Sequence, residues 1–357
     1  MKHNFRKHLQ NVERKRVGVH PDPGKNILLD RNERVIPYSD KTMRLLCKRI
    51  SGLRLNLYPD LEVFYDKLSR WLSLNSKEVY ITEGVSGAIK SLMETIAEPG
   101  KAIVFPNPTF ALYPVYAGMF NLKHKTVGYT ADYKLDIAEM KKLIGKETSI
   151  VFLPNPNVPI EGTISLKEIK SLAGHCARYG VFLVIDEVYH SFGGPTAMRL
   201  ARSMDNVFVM RSFSKAFGLP GIRLGFVVGA EKNIEYVSKM RTGYETNTLS
   251  AETASFFIDN YNLVERYVKS VKEGLAYLKN EFDHLGLEHN GGNASNFIYV
   301  DLGSEAILKR VVKALRERHI YVRGGWPAPY ASGFCLTAGP KKIMRHFVRE
   351  LTEILGK

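Results

Sequence analysis

The feature that most limits how this chain can fold is a series of short apolar runs separated by helix-patterned stretches. The runs are Val79-Tyr80-Ile81-Thr82, Ala102-Ile103-Val104-Phe105, and residues 149–153, 181–185, 207–210 and 224–229. Between them, residues 84–98 place Ala88, Ile89, Leu92, Met93 and Ile96 on one helical face, and 166–178 has the same texture. A strand apolar on both faces must be covered on both faces, which parallel sheets flanked by helices achieve. The alternation therefore predicts an α/β fold with a doubly wound, mostly parallel sheet. Past about residue 250 the pattern changes. A long helical region runs to about 284, followed by strand 296–301, helix 305–317, strands 319–323 and 333–337, and a last helix 341–355. The expected organisation is an N-terminal arm (1–40), a large unit (41–245) and a smaller C-terminal α+β unit (246–357) on which the arm packs. The arm is punctuated by Pro21, Pro23 and Gly24. The turn Leu57-Tyr58-Pro59-Asp60 leads into a helical pattern of Leu61, Phe64, Tyr65, Leu68 and Leu72.

Composition narrows the function classes. With 357 residues, 45% of them hydrophobic, the chain can bury a large core without disulfide or metal staples. Cys47, Cys176 and Cys335 are far apart and show no metal-ligand spacing, so they read as free thiols in a reducing compartment. The formal charge of +15 raises nucleic acid as a partner. The first sixty residues carry 14 Lys+Arg against 6 Asp+Glu. Yet Arg14-Lys15-Arg16, Lys25, Arg31 and Arg34 are dispersed and form no long basic run. A solvated basic surface is the leading reading and attraction of small anions the main alternative, so no nucleic-acid partner is expected. Met1 to Gln10 is too polar for a secretory leader, and Pro106, Asn107, Pro108 and Pro114 break the most apolar stretch. A cytoplasmic protein without membrane spans is expected.

Two segments carry chemistry. Val184-Ile185-Asp186-Glu187-Val188-Tyr189 is an apolar strand ending in an acid, at the edge of a parallel sheet where ligands bind. It is followed by Arg211-Ser212-Phe213-Ser214-Lys215-Ala216-Phe217-Gly218-Leu219-Pro220-Gly221-Ile222-Arg223. A lysine amine can condense with an aldehyde cofactor. A buried aspartate can keep a pyridine nitrogen protonated. Serine hydroxyls and an arginine fork hold phosphate, and Tyr189 can reach a ring oxygen.

Together these residues resemble the pyridoxal-phosphate-dependent aminotransferases of class I/II, fold type I. Within them the chain is most similar to the histidinol-phosphate aminotransferase branch and its threonine-phosphate decarboxylase relative. The resemblance implies pyridoxal 5'-phosphate as cofactor. It makes Lys215 the cofactor-linked lysine and proton carrier, Asp186 the partner of the ring nitrogen and Tyr189 the partner of the ring oxygen. Ser212, Ser214 and Arg223 form the phosphate cup. It adds Gly84, Val85 and Ser86, a helix start suited to an anion, and Phe110, stacked on the ring. Tyr58 matches a tyrosine that reaches the neighbouring subunit's cofactor, which implies a homodimer.

Two departures stand out. The family's Asn-Asn-Pro-Thr-Gly string appears as Asn157-Val158-Pro159-Ile160-Glu161-Gly162, so Val158 replaces a ring-oxygen donor and Asn157 is the remaining candidate. The arginine of a Leu-Arg-Ile-Thr-like strand, which clamps a substrate anion, is Cys335 in Phe334-Cys335-Leu336-Thr337. A second family arginine is retained as Arg323. Arg323, with Arg34 or Arg31 from Leu29-Asp30-Arg31-Asn32-Glu33-Arg34, is expected to bind the substrate anion. The expected activity is transamination between an amino-acid donor, glutamate by resemblance, and a small phosphorylated or strongly anionic keto compound. The alternatives are decarboxylation of a phospho-amino acid, or a binding protein that kept the fold without the activity.

Overall fold

The computed structural model describes residues 6–14, 18, 20, 22 and 24–357. Lys15, Arg16, Pro21 and Pro23, noted above, lie outside them. The strands in chain order are β1 (Ile27–Leu28), β2 (Val79–Thr82), β3 (Ala102–Pro106), β4 (Lys123–Val127), β5 (Thr148–Pro154), β6 (Phe182–Asp186), β7 (Val207–Ser212), β8 (Gly225–Val228), β9 (His289–Gly291), β10 (Phe297–Asp301), β11 (Ile320–Tyr321) and β12 (Gly333–Thr337).

A seven-stranded sheet has the order β2-β8-β7-β6-β5-β3-β4. β3 through β7 pair in parallel, as the alternation predicts. β8 runs antiparallel to both its neighbours, β2 and β7. The link between β7 and β8 holds a short turn at Pro220–Ile222 and no helix that could cross a face of the sheet. A parallel return usually runs through such a helix. β4, Lys-His-Lys-Thr-Val, is a mostly exposed edge strand, so no apolar run marks it in the sequence. The central strands divide by period two. Val151, Leu153, Leu183, Ile185, Val207 and Val209 enter one apolar cluster, while Ile150, Phe152, Val184, Phe208 and Met210 enter the other.

The C-terminal unit is built on a three-stranded antiparallel sheet, β12-β10-β9. Helices Asn262–His284, Glu305–Glu317 and Lys341–Leu355 accompany it. The long helical region beginning near residue 250 is two helices, Thr248–Asp259 and Asn262–His284. The expected strand 319–323 shortens to β11, which pairs in parallel with β1 of the arm. A helix at Asp40–Ile50, capped by Ser39 accepting from Thr42 N, was not read from its mostly polar sequence.

This topology brings one end of β2, β3, β5, β6 and β7 to a common rim, together with the start of β8. Gly84, Phe110, Asn157, Asp186, Ser212 and Arg223 all follow or end these strands. The carboxyl edge of an open α/β sheet is where ligands bind.

Candidate functional site

Asp186 ends β6 and is 4% exposed. Its Oδ2 accepts from Tyr113 OH at 2.9 Å and its Oδ1 from Val188 N at 3.1 Å. Burial pushes its carboxyl up to about 6, against the pull of Tyr113. Tyr113 is fully buried and stacks on Phe152. Phe110 stands edge-on to Tyr113, ring centroids 6.0 Å apart, which places it over the same corner.

Lys215 lies in the loop after β7. Its Nζ donates to the carbonyl of Arg31 at 2.9 Å and sits 5.9 Å from the Tyr189 ring centre. Burial lowers its pKa to about 8; the Glu33 carboxylate raises it, and Arg323 and Arg223 lower it. At neutral pH an appreciable fraction of this amine is unprotonated, as a nucleophile or proton carrier requires. Tyr189 is buried and its hydroxyl accepts from Asn32 Nδ2 at 2.7 Å. Its own proton is thereby left to donate into the site. Asn32 is held in turn by Thr337 of β12, which donates to Asn32 Oδ1, and by Asn296, which donates to Asn32 O.

The anion cradle centres on Arg223, whose charge acts on Lys215. Thr82 is followed by Glu83 and then Gly84, which has a φ of +65° and begins the helix Gly84–Ile96. The free N–H groups of a helix start and its dipole attract an anion. A Cβ on Gly84 would meet Arg223 Nη2 at 2.9 Å, so the arginine fork lies against the glycine. Arg223 itself has a φ of +51°, an uncommon conformation for a residue with a side chain. Ser212 Oγ lies 2.9 Å from Ser214 Oγ and accepts from Ser214 N. Val85 is buried and Ser86 partly so at the same helix start. A glycine, an arginine fork, two hydroxyls and a helix start form a set of donors shaped for a phosphate. With the Asp186 carboxyl and the Lys215 amine beside them, the residues present fit pyridoxal phosphate.

Four expected residues have other surroundings. The Arg34 guanidinium is sandwiched between Tyr38 and Tyr267, 4.0 and 3.8 Å from their ring centres, and its Nε donates to Ile36 O. The Arg31 side chain turns to Gly18 O and Asp30, and only its main-chain carbonyl meets Lys215. The Asn157 amide nitrogen donates to Pro108 O and Ile160 O, so its donors are taken up in tying two loops. Tyr58 is 81% exposed and stacks on Tyr244, on the surface of the protomer.

Arg323 and Cys335 form an antiparallel bridge, with each main-chain N–H donating to the other's carbonyl. Cys335 is buried, and burial pushes its thiol up to about 12 despite the nearby charges of Arg323 and Lys215. A neutral thiol therefore stands where an arginine would bring a second charge. Sequence reading missed Tyr113, Asn32 and Glu33. Asn32 and Glu33 lie inside the string quoted for its arginines, whereas Tyr113 is one of 18 tyrosines with no local motif.

Residues 26–351 match the family described as aminotransferase class I and II. A histidinol-phosphate aminotransferase of Hydrogenovibrio crunogenus is 27% identical over 347 residues, covering 95% of this chain and 94% of its own. That of Geotalea daltonii is 29% identical over 356 residues, covering 98% and 99%. The crystal structure of histidinol-phosphate aminotransferase from Sinorhizobium meliloti in complex with pyridoxal-5'-phosphate aligns with a TM-score of 0.89 at 20% identity, covering 100% of this chain and 98% of that one. Aspartate aminotransferase from Thermotoga maritima aligns with a TM-score of 0.80 at 16% identity, covering 93% and 92%. The solved structures establish the fold type I architecture, and the family match extends over nearly the whole chain. This chain belongs to the class I and II aminotransferases, and its cofactor is pyridoxal 5'-phosphate.

Proposed function

We propose that this aminotransferase moves an amino group between an amino-acid donor, glutamate by family resemblance, and a small phosphorylated keto compound. The observation that carries this reading is the pair of cationic poles acting on Lys215, Arg223 in the anion cradle and Arg323 next to Cys335. The first suits the cofactor phosphate and the second suits an anion on the substrate. The named relatives take a phosphorylated amino alcohol, which agrees with that second pole. They are aminotransferases, so the decarboxylase alternative is not favoured.

Bound pyridoxal 5'-phosphate supplies an aldehyde carbon and an electron-accepting ring. Asp186, its carboxyl steadied by Tyr113 and Val188 N, would face the ring nitrogen and keep it protonated. Tyr189, oriented by Asn32, would donate its hydroxyl proton to the ring oxygen. Ser212, Ser214, Arg223 and the N–H groups after Gly84 would hold the phosphate, and Phe110 would cover the ring. The Lys215 amine would form the link to the cofactor aldehyde and, when free, would carry the proton taken from the substrate Cα. Burial around Asp186, Tyr189 and Cys335 excludes water from that transfer. Arg323 binds the substrate phosphate.

Tyr58 is the candidate for reaching a second copy. Its exposed neighbourhood of Leu55, Leu57, Val63, Tyr244 and Leu249 supports a homodimer interface there. The β1–β11 pairing supports the arm as part of the C-terminal unit. Among the described residues no helix is long and apolar enough to cross a membrane.

The test begins with the visible absorbance of protein reconstituted with pyridoxal phosphate, followed by glutamate and a panel of phosphorylated and unphosphorylated ketones. Phosphorylated acceptors are expected to be preferred, with KM raised at least about tenfold in Arg323→Ala. Equal use of unphosphorylated ketones would overturn the substrate assignment.

A further inference from the structure

Glu161 is a charged side chain that the proposed chemistry does not use, yet it is 3% exposed. It stands in the loop after β5, on the large-sheet side. Its donors all come from the C-terminal unit. Asn293 N donates to it at 3.1 Å, Ala294 N at 2.8 Å and Ser295 Oγ at 2.7 Å. Its own main chain continues the connection. Glu161 N donates to Asn290 Oδ1 at 2.9 Å, and Glu161 O accepts from Asn157 N at 3.1 Å. Lys279 lies close enough for its charge to feel Glu161, and its Nζ donates to Asn293 Oδ1. The family string has one residue, threonine, between its proline and glycine, whereas Ile160 and Glu161 both stand between Pro159 and Gly162 here.

The connection runs onward to the cofactor corner. Asn157 donates through its amide to Pro108 O and accepts from Thr109 Oγ1 at 2.6 Å. Thr109 precedes Phe110. From the C-terminal unit, the residue after Ser295 is Asn296, whose amide donates to Asn32 O, beside Tyr189. One carboxylate thus joins the loop that places Phe110 to the loop that feeds the Asn32–Tyr189 pair. A buried carboxylate is retained only when its acceptor sites are filled, and here main-chain and hydroxyl donors fill them.

We propose that Glu161 is a positioning residue that clasps the C-terminal unit to the loop of Asn157, fixing the Phe110 and Tyr189 sides of the site relative to each other. This rests on the assignment of Phe110 and Tyr189 to the cofactor. Removing the carboxylate leaves the Asn293 and Ala294 N–H groups without this acceptor, leaves Ser295 Oγ only Phe297 O at 3.3 Å, and releases the C-terminal unit from the cofactor loop. The site then loses its alignment while Lys215, Asp186 and Arg223 keep their own supports.

The experiment compares wild-type holoenzyme with Glu161→Gln, Glu161→Ala and Ser295→Ala. Three quantities are read: the dissociation constant of pyridoxal phosphate, the pH midpoint of its visible absorbance, and kcat and KM for donor and acceptor. Glu161→Ala is expected to weaken cofactor binding about tenfold, to shift the midpoint, and to lower kcat more than it raises KM. Glu161→Gln keeps the shape and should recover part of each loss, and Ser295→Ala should show a smaller loss of the same pattern. Effects of Glu161→Ala and Ser295→Ala should be non-additive in the double variant. The proposal is overturned if the Glu161 variants only lower the melting temperature, with cofactor affinity, midpoint and kinetics per folded enzyme unchanged. If Glu161→Ala does not fold, Ser295→Ala decides by the same readouts. Failure of the wild type to bind cofactor would instead strike the underlying site assignment.

Discussion

Gly84→Ala tests the anion cradle most directly, because the structure separates two costs of that methyl group. The first is conformational. At a φ of +65°, a side chain costs about 1–2 kcal/mol of folding stability. The second is contact. The new Cβ would lie 2.9 Å from Arg223 Nη2, inside ordinary carbon–nitrogen separation. The guanidinium must retreat, and a charge-assisted hydrogen bond to phosphate is worth about 1.5–3 kcal/mol. At about 1.4 kcal/mol per factor of ten, cofactor affinity should fall roughly tenfold to a hundredfold. The assay is titration of cofactor-free protein with pyridoxal phosphate, followed by visible absorbance, with urea unfolding in parallel. Gly100→Ala is the control. It has a φ of +89° with nothing within 4 Å of the added Cβ, so it bears the strain without the clash. It should lose comparable stability and keep wild-type cofactor affinity. If Gly84→Ala binds the cofactor as tightly as Gly100→Ala does, the argument for Arg223 and Gly84 as a phosphate cradle is refuted.

Other expectations follow from the same geometry. Lys215→Met should fold but lose the visible absorbance of the bound cofactor and all turnover. The same variant reports on buried charge. In cofactor-free wild type Lys215 has a folded value near 8 against an ordinary 10.5, so its penalty is fully present below about pH 8 and fades as pH rises through about 10.5. Cofactor-free Lys215→Met should therefore be more stable than wild type at pH 7, by at most about 3 kcal/mol since the residue is only partly enclosed. The gap should close toward pH 10 in urea titrations, and a gap independent of pH would contradict the assigned burial. Arg34→Ala should cost about 1–3 kcal/mol of stability through its two ring contacts and leave KM for the phosphorylated acceptor within about twofold. Cys335→Arg should improve kcat/KM for dicarboxylic amino acids at least about tenfold, and a loss would count against the view of Cys335 as a missing anion clamp.

Much of this protein was legible before any coordinates. The alternating apolar runs pointed to a mostly parallel sheet covered on both faces, because a strand apolar on both faces must be buried on both; the β2–β8 pair is buried in the same way and yet antiparallel. Asp186, Tyr189, Ser212, Ser214, Lys215 and Arg223, local to two strand ends, carried the family resemblance that implied one cofactor. The helices 305–317 and 341–355 and the strand 333–337 were readable from periodicity alone. Less visible were the reversal of β8, whose link carries no crossover helix, and β4, whose polar edge carries no apolar signal.

What only the tertiary structure decided are the relations between residues far apart in sequence. Tyr113 meets Asp186 across 73 residues, and Asn32 meets Tyr189 across 157. No local pattern encodes such pairs, because they arise from how separate strands and the arm converge on one rim. The same holds for the arginines. Composition counted them alike, but packing sent Arg34 between two aromatic rings, turned Arg31 to Gly18 and Asp30, laid Arg223 against Gly84 and set Arg323 opposite Cys335. Sequence alone determined the chemistry this chain is equipped for. The tertiary structure decided which charges face that chemistry, since burial and direction belong to the folded chain and not to the order of its residues.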